Sequence, residues 1–428
     1  MKKILYILIS FLFLSLVLFY FSNYSNKIKL TKTFILAYDL LTFKKQQYQS
    51  LHSQIKQNLL LSKFGELKLD LIKLDERDFY KPLGYLEIIN NEIIYLAANG
   101  ELLSINDKFQ KKKIKNNLVS YFNNELKSDD LYVDLFNPYT VNPIRDLLYH
   151  NGFLYVVFFN IEKINNELRL SSSVLKGKFN SDYIDFKYFF KPNSYFVKNL
   201  NTASWLDATH AGGRIVVDKN ENFFIAIPDY GLKKKINTKK NIFGKVLKIK
   251  SKDNYEIISM GHRNPQGFYY DKEKDIFIES EHGPSGGDEI NLIKKDRNYG
   301  WPTVSSGVGE GVDDDVTIYH NHEKQGFEAP VYTWPIYNPG ISQIIKIEKS
   351  SKSNFRDLYM VASLSGKNEY YGNHLYLFSI NKNQTILKDK IFIGDRVRDL
   401  IYDKINDRVI LTLEDQESIG IINLNNKK

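Results

Sequence analysis

The 428-residue sequence contains no cysteine. Disulfides, thiolate nucleophiles and cysteine-ligated metals are therefore excluded. The absence does not fix a compartment, because many exported proteins lack disulfides. Methionine is scarce, at three residues, and no long Ala/Leu/Glu-rich helical stretch is present. What the chain has in quantity is aromatic: 29 Tyr and 28 Phe bring the aromatic share to 14%. Tyr, Phe, Ile and Val suit pleated, half-buried surfaces, so the composition leans towards an all-β fold. The hydrophobic share of 43% is enough to bury a sizeable core.

Basic residues outnumber acidic ones by 59 to 50, for a net charge of +9. The lysines are scattered, with short runs at Lys111 to Lys113 and Lys233 to Lys235. No zinc-finger, RNA-recognition or helix-turn-helix pattern accompanies them, so they read as solvated loops and no nucleic-acid partner is expected. The N-terminus has a pattern of its own. Lys2 and Lys3 precede an uncharged apolar run from Ile4 to Phe21. At about 1.5 Å per residue such a helix nearly spans a bilayer core of roughly 30 Å. Positive charge before the run predicts a cytoplasmic N-terminus. No small-residue cleavage site follows, so residues 1–22 read as an uncleaved anchor with the rest of the chain facing the periplasm. Residues 23–75 read as a polar juxtamembrane segment, and 76–428 as the main domain.

That domain carries a weak repeat of apolar stretch, Asn/Asp/Gly turn, apolar stretch. Copies run from Leu86 to Leu96, Asp146 to Val156, Arg214 to Ile225, Phe268 to Ile278, Ile344 to Val361 and Leu400 to Leu411. Each reads as a hairpin whose turn residues tolerate left-handed backbone. Six hairpins spread along the chain predict a six-bladed β-propeller. The loops between copies would then gather at one end of a central channel and build a composite site there.

Four segments in those loops carry chemistry. In His210-Ala-Gly-Gly-Arg214, an imidazole able to take a proton from an alcohol precedes two glycines that allow close backbone approach. Asp229 follows the next strand and could orient that imidazole. In Gly261-His-Arg-Asn-Pro-Gln-Gly267, Arg263 offers a planar donor fork and Asn264 an amide, while His262 reads as structural. The stretch Glu279-Ser-Glu-His-Gly-Pro-Ser-Gly-Gly-Asp-Glu289, continuing to Asn298-Tyr-Gly-Trp-Pro302, is the most specific. Its carboxylates and Gly-Pro carbonyls suit Ca²⁺.

In this order, from about Asn201 to Glu417, these segments resemble the soluble pyrroloquinoline quinone (PQQ) dependent glucose/sorbosone, or aldose sugar, dehydrogenases. The resemblance implies a six-bladed propeller with PQQ near its axis and Ca²⁺ against the PQQ. It implies His210 as general base, Asp229 as its partner, and Arg263 and Asn264 on PQQ. Arg396 and Arg398, in Gly394-Asp-Arg-Val-Arg-Asp399, would face the PQQ carboxylates. Gly283 and Pro284 would hold the PQQ-bound calcium, and Glu289 and Tyr299 a second, structural calcium. The implied activity is oxidation of an aldose or related alcohol or aldehyde to a lactone or acid, with an external electron acceptor. Two positions depart from the family pattern. A lysine expected near Ser365 appears two residues on, as Lys367, and a glutamine expected upstream has Arg145 as its nearest counterpart. These departures leave as alternative a non-catalytic, calcium-stabilised propeller that binds glycan or protein.

Overall fold

The computed structural model describes residues 59–74, 84–121, 143–164, 167–192, 195–197, 210, 212–232, 236, 238–284, 286–307, 321–334, 338–364, 373–381 and 384–425. These residues form six mainly antiparallel sheets of four or five strands, the blades of a β-propeller; two of them carry a short parallel outer strand, Tyr183–Ile184 and Arg297–Asn298. The six hairpins expected from the sequence are the inner two strands of the six blades. In blade one, for example, Gly84–Ile89 pairs with Glu92–Ala97, and in blade six Val397–Asp403 pairs with Arg408–Leu413. The turns adopt the left-handed backbone that their residues favour: Asn90 and Asn91 have φ of 52° and 68°, Asp275 54° and Asp407 49°.

Alternation along each strand explains why blades stack. Along Glu92–Ala97, Ile93 and Tyr95 pack towards blade six, while Ile94 and Leu96 pack towards blade two. Both faces of a blade are thus apolar. Among the described residues the buried apolar side chains form six clusters, one at each junction between neighbouring blades. The axis is left to polar side chains.

The ring closes through the N-terminal part of the chain. Gly65–Lys73 pairs antiparallel with Ser418–Asn423 as the fourth strand of blade six, with Leu69 opposite Ile422, and Leu59–Ser62 adds a fifth. The propeller therefore begins at or before Leu59, and residues 59–73, read from the sequence as part of the juxtamembrane segment, belong to blade six. The apolar run of residues 1–22 and most of the expected juxtamembrane segment fall outside the described residues. Among the described residues no helix is long and apolar enough to cross a membrane.

The innermost strands of five blades meet at Arg214, which is 2% exposed. Its guanidinium donates to Asp146 of blade two (2.8 Å), Asp399 of blade six (2.8 Å), the Gln266 carbonyl of blade four (2.8 Å) and the Arg398 carbonyl (3.0 Å). The Tyr85 ring of blade one lies 5.0 Å from the guanidinium carbon. Asp399 also accepts the Leu86 N–H of blade one at 2.8 Å. One side chain thus ties blades on all sides of the channel.

Nearby, Glu87 accepts the Tyr149 N–H at 3.0 Å. Burial, aided by Asp146 and Asp399, pushes its carboxyl up to about 8. A raised carboxyl favours folding below its unfolded value, and that contribution is lost as pH rises through about 8. The Glu87→Gln variant keeps the acceptor and removes the titration. Its stability relative to the wild type is expected to improve by on the order of 2 kcal/mol between pH 4 and pH 9. Urea unfolding at the two pH values checks this, and equal gains at both would refute it.

Candidate active site

Residues just before, or at the start of, the innermost strands converge on one end of the channel. The loop carrying His210 precedes Arg214–Val217 and lies against Pro265–Asp271 of blade four. Gly212 donates its N–H to the Asn264 side-chain oxygen at 3.1 Å. A Cβ at Gly212 would collide with the Pro265 carbonyl, and Gly213, at φ 133°, lies where a Cβ would come within 2.9 Å of Arg145 Cβ. The paired glycines thus serve the close approach expected of them.

His210 Nδ1 is hydrogen-bonded to Asp229 Oδ1, and both side chains are buried. Asp229 also accepts from the Gly231 N–H (3.0 Å) and, through Oδ2, from Trp301 Nε1 (2.7 Å). Burial would raise the Asp229 carboxyl, but His210, Arg263 and the Gly231 N–H outweigh it and hold the carboxyl below its ordinary value. A carboxylate fixed in this way orients the imidazole through Nδ1 and leaves Nε2 as the nitrogen able to take a proton. Trp301, from the Asn-Tyr-Gly-Trp-Pro stretch, was not singled out from the sequence, yet it completes the carboxylate's shell.

Arg263 stacks over the Trp301 ring, 5.3 Å from guanidinium carbon to ring centroid. It donates to the carbonyls of His282 (3.0 Å) and Gly283 (2.9 Å). The Asn264 carbonyl accepts the His282 N–H at 3.0 Å, and its side-chain oxygen accepts from Gln266 Nε2 at 3.0 Å. The Pro284 carbonyl accepts from Asn338 Nδ2. Each carbonyl retains a second lone pair. Asp288 braces this loop: it accepts from the N–H groups of Gly283 (3.1 Å), Gly340 (2.7 Å) and Ile341 (3.1 Å), joining blade four to blade five. Burial pushes its carboxyl up to about 7 against the pull of those three donors.

Arg396 and Arg398 reach the same end of the channel but not as free cations. Glu414, 1% exposed, accepts Arg396 Nε at 2.7 Å and Arg398 Nε at 2.6 Å. Burial would raise Glu414, but the two guanidiniums outweigh it and keep its carboxyl low. Arg398 also reaches the Gln266 side-chain oxygen at 3.3 Å. The pair plus Glu414 carries a net single positive charge. Nothing local in the sequence marks Glu414 as the counter-charge.

Glu289 and Tyr299 line one narrow cavity together with Arg263, Glu281, Gly283 and Pro284. Glu289 is pushed up to about 8 by burial and by Glu281, and Glu281 up to about 7 by burial and by Glu279. Two buried carboxylates that resist ionising together fit a divalent cation between them. The Tyr299 hydroxyl points elsewhere, to the Leu292 carbonyl. His262 is structural, as read from the sequence: Nδ1 faces Glu279 (2.9 Å) and Glu281 (3.5 Å), and Nε2 meets the Ser259 hydroxyl at 2.8 Å. Burial opposes its charge, yet Glu279 and Glu281 hold the imidazole up at about 10. These three side chains could also jointly ligate a metal.

Arg145 donates from Nε to the hydroxyl of Tyr230, the neighbour of Asp229, at 3.4 Å. Its guanidinium sits 5.9 Å from the ring centroids of both Phe159 and Tyr230, which stack at 4.0 Å. Ser365 and Lys367 lie outside the described residues. His282, inside the quoted motif but given no role from the sequence, lies among the cations. Burial, Arg263 and Arg398 push its imidazole down to about 3.

The sequence profile described as Glucose / Sorbosone dehydrogenase matches residues 148–423. The chain is 24% identical over 264 residues to the aldose sugar dehydrogenase YliI of Escherichia coli K12, a match covering 57% of this chain and 66% of that protein. It is 32% identical over 127 residues to quinoprotein glucose dehydrogenase B of Acinetobacter calcoaceticus, covering 22% of this chain and 26% of that one. The matches thus span less than two thirds of these curated relatives. In fold it superposes on the apo-form of the soluble E. coli aldose sugar dehydrogenase with a TM-score of 0.64 at 17% identity, covering 84% of this chain and all of the other. The PQQ-bound aldose sugar dehydrogenase of Streptomyces coelicolor superposes at 0.56 and 15% identity, covering 83% of this chain and 98% of the other. Since the profile spans more than half of the sequence and falls on the blades that carry this site, the chain belongs to the glucose/sorbosone dehydrogenase family.

Proposed function

We propose that this protein is a PQQ- and calcium-dependent dehydrogenase that oxidises an aldose, or a related alcohol or aldehyde, to a lactone or acid. The observation that carries this reading is the His210–Asp229 pair, buried and braced by Trp301, with Arg263 stacked on that same tryptophan.

The residues present suit the cofactors. PQQ is a tricarboxylate quinone, and Arg263, Arg396 and Arg398 offer planar cationic forks for it. Arg263 Nε, His282 Nε2 and Asn338 Oδ1 are buried polar atoms without a hydrogen-bond partner, which suits a polar ligand beside them. The Gly283 and Pro284 carbonyls offer oxygen to the calcium beside PQQ, and Glu289 and Tyr299 are assigned to a structural one. When bound, PQQ supplies a two-electron acceptor and calcium sharpens its electrophilic character. His210 takes the proton of the substrate hydroxyl at Nε2, and Asp229 stabilises the imidazolium that results. Arg263, held to the His282 and Gly283 carbonyls, fixes the loop against which the cofactor would lie.

The test is dye reduction by the protein with PQQ and Ca²⁺ over a panel of aldoses. Sugar-dependent reduction that needs both additions is expected. Protein that folds and binds Ca²⁺ but reduces no dye with any sugar would replace this reading with the non-catalytic one.

Calcium is expected to raise the thermal midpoint of the apo-protein. Saturation at a hundredfold excess over the dissociation constant corresponds to about 2.7 kcal/mol. Glu289→Gln should abolish most of that rise. An equal shift in wild type and variant would remove Glu289 from the ligand set.

We further assign the N-terminal apolar run to an inner-membrane anchor that leaves the propeller in the periplasm. This rests on Lys2, Lys3 and the uncharged stretch from Ile4 to Phe21. Fractionation of cells, with protease added to spheroplasts, is expected to leave the propeller membrane-bound and digestible. A protease-protected propeller would reverse the orientation.

A further inference from the structure

Lys111, Lys112 and Lys113, expected in a solvated loop, instead open the strand Lys111–Asn116 of blade one. Among the described residues its outer edge is paired only at Lys115 and Asn116, with Tyr183 and Ile184. On the inner side, Ile105 stands opposite Lys111 and Leu103 opposite Lys113. Both apolar residues pack at the junction with blade six. Residues opposite each other in a pair share a face of the sheet. Lys111, Lys113 and Lys115 therefore project on the blade-six side, beside Tyr183. Lys112 shares the other face with the buried Ile114.

Exposed apolar groups gather around that strand. Among the described residues the large exposed hydrophobics are Leu61, Phe109, Val119, Tyr183 and Ile405. All of them lie on the sheets of blades one and six or in turns next to their strands. Tyr183 is 51% exposed at one end of the lysine strand, and Phe109 44% at the other. Phe109 holds a φ of 61°, a left-handed backbone that a bulky side chain rarely adopts. Neither the core nor the turn calls for a phenyl ring there. Lysines on an open edge also deter strand pairing, but that role needs no aromatic ring at either end.

We propose that this flank of blade one docks on an anionic lipid surface, with Phe109 and Tyr183 seated among the headgroups and Lys108, Lys111, Lys113 and Lys115 against lipid phosphates. The proposal extends the anchor assignment above. Between Asn106 and Asn116 the chain carries five lysines and one carboxylate, Asp107. Lys113 pairs with Glu101 at 2.9 Å and Lys112 with Asp182 at 2.8 Å, yet both lysines stay more than half exposed. Cations that meet lipid phosphates, with apolar rings that enter the headgroup boundary, are what hold a protein surface on an anionic bilayer. The flank is the outer edge of a blade. Docking there sets the channel axis along the bilayer and leaves the site end open to water.

The chain has no cysteine, so one introduced thiol reports one place. Full-length Asp107→Cys and, on blade three, Asp253→Cys are labelled with an environment-sensitive dye. Each is reconstituted with vesicles of phosphatidylcholine, alone or mixed with phosphatidylglycerol, that contain a nitroxide lipid as quencher. The dye at position 107 is expected to be quenched severalfold more in anionic than in neutral vesicles and to be released by high salt. The dye at position 253 should stay unquenched in both. Lys111→Gln, Lys113→Gln and Lys115→Gln together should lower the docked-to-free ratio roughly 100-fold, at about fivefold per lysine. If that triple variant does not fold, salt release of the wild-type flank decides. Equal quenching at the two positions, or none at 107, in anionic vesicles that carry the protein overturns the docking and leaves the anchor standing. Protein that floats with anionic vesicles alone overturns the anchor and supports the docking. Protein that floats with neither overturns both.

Discussion

The His210→Ala variant is expected to lose roughly 10²- to 10⁴-fold in kcat, the span typical of a deleted general base. PQQ binding should be little changed, because the cations assigned to the cofactor belong to other segments. Asp229→Asn should cost less, and the hydrogen bonds say why. Oδ1 of Asp229 accepts from both His210 and Gly231, while Oδ2 accepts only from Trp301. An asparagine would keep its oxygen at the position with two donors and turn its amide towards the Trp301 N–H, which can only donate. The imidazole therefore stays in the working tautomer, but it loses the negative charge that stabilises it once protonated. The graded series wild type, Asp229→Asn, His210→Ala should appear in kcat measured with saturating PQQ and sugar. A His210→Ala enzyme within threefold of wild type would exclude His210 as the base. Adding Trp301→Phe to Asp229→Asn should recover part of the lost stability by removing the opposed donor.

The second large effect is on folding. Arg214→Met is expected to destabilise the propeller by about 3–5 kcal/mol, the usual cost of leaving a buried charge without its partner. It would strand Asp146 and Asp399 beside each other. Burial already pushes the Asp146 carboxyl up to about 6 with the guanidinium present. The thermal midpoint should fall by roughly 10 °C. Adding Asp146→Asn and Asp399→Asn to Arg214→Met should restore part of the loss, since neutral amides need no cation. If the single variant melts within about 2 °C of wild type, the axial network is not a stabilising tie. Because Arg214 reaches its blades through the Gln266 and Arg398 carbonyls, the variant should also loosen the floor beneath the site and weaken PQQ binding.

The hairpin at Phe268 to Ile278 and its five counterparts were legible because everything that makes them is local. Period-two alternation and an Asn, Asp or Gly turn act within about a dozen residues, and the turn residues do adopt the left-handed backbone. His210, Asp229, Arg263 and the Gly283-Pro284 step were legible for a related reason: they sit in dense loop motifs just before an innermost strand or just after the strand paired with it. The sequence alone thus determined the blade count and the gathering of the loops that carry His210 and Asp229 at one end of the channel.

Tertiary structure decided what depends on partners far apart in the chain. Arg214 meets Asp399 across 185 positions, and Asp399 meets the Leu86 N–H across 313. Glu414 pairs with both arginines assigned to the cofactor and cancels one of their two charges, and Asp288 joins the Gly283 loop to Gly340. The strand at Gly65–Lys73 closes blade six against the C-terminal strand, which moved the start of the propeller to Leu59 or before. No local pattern announces these pairings. A buried charge or an open sheet edge must be satisfied by whatever the closed ring brings beside it, and closure sets residues from opposite ends of the chain side by side.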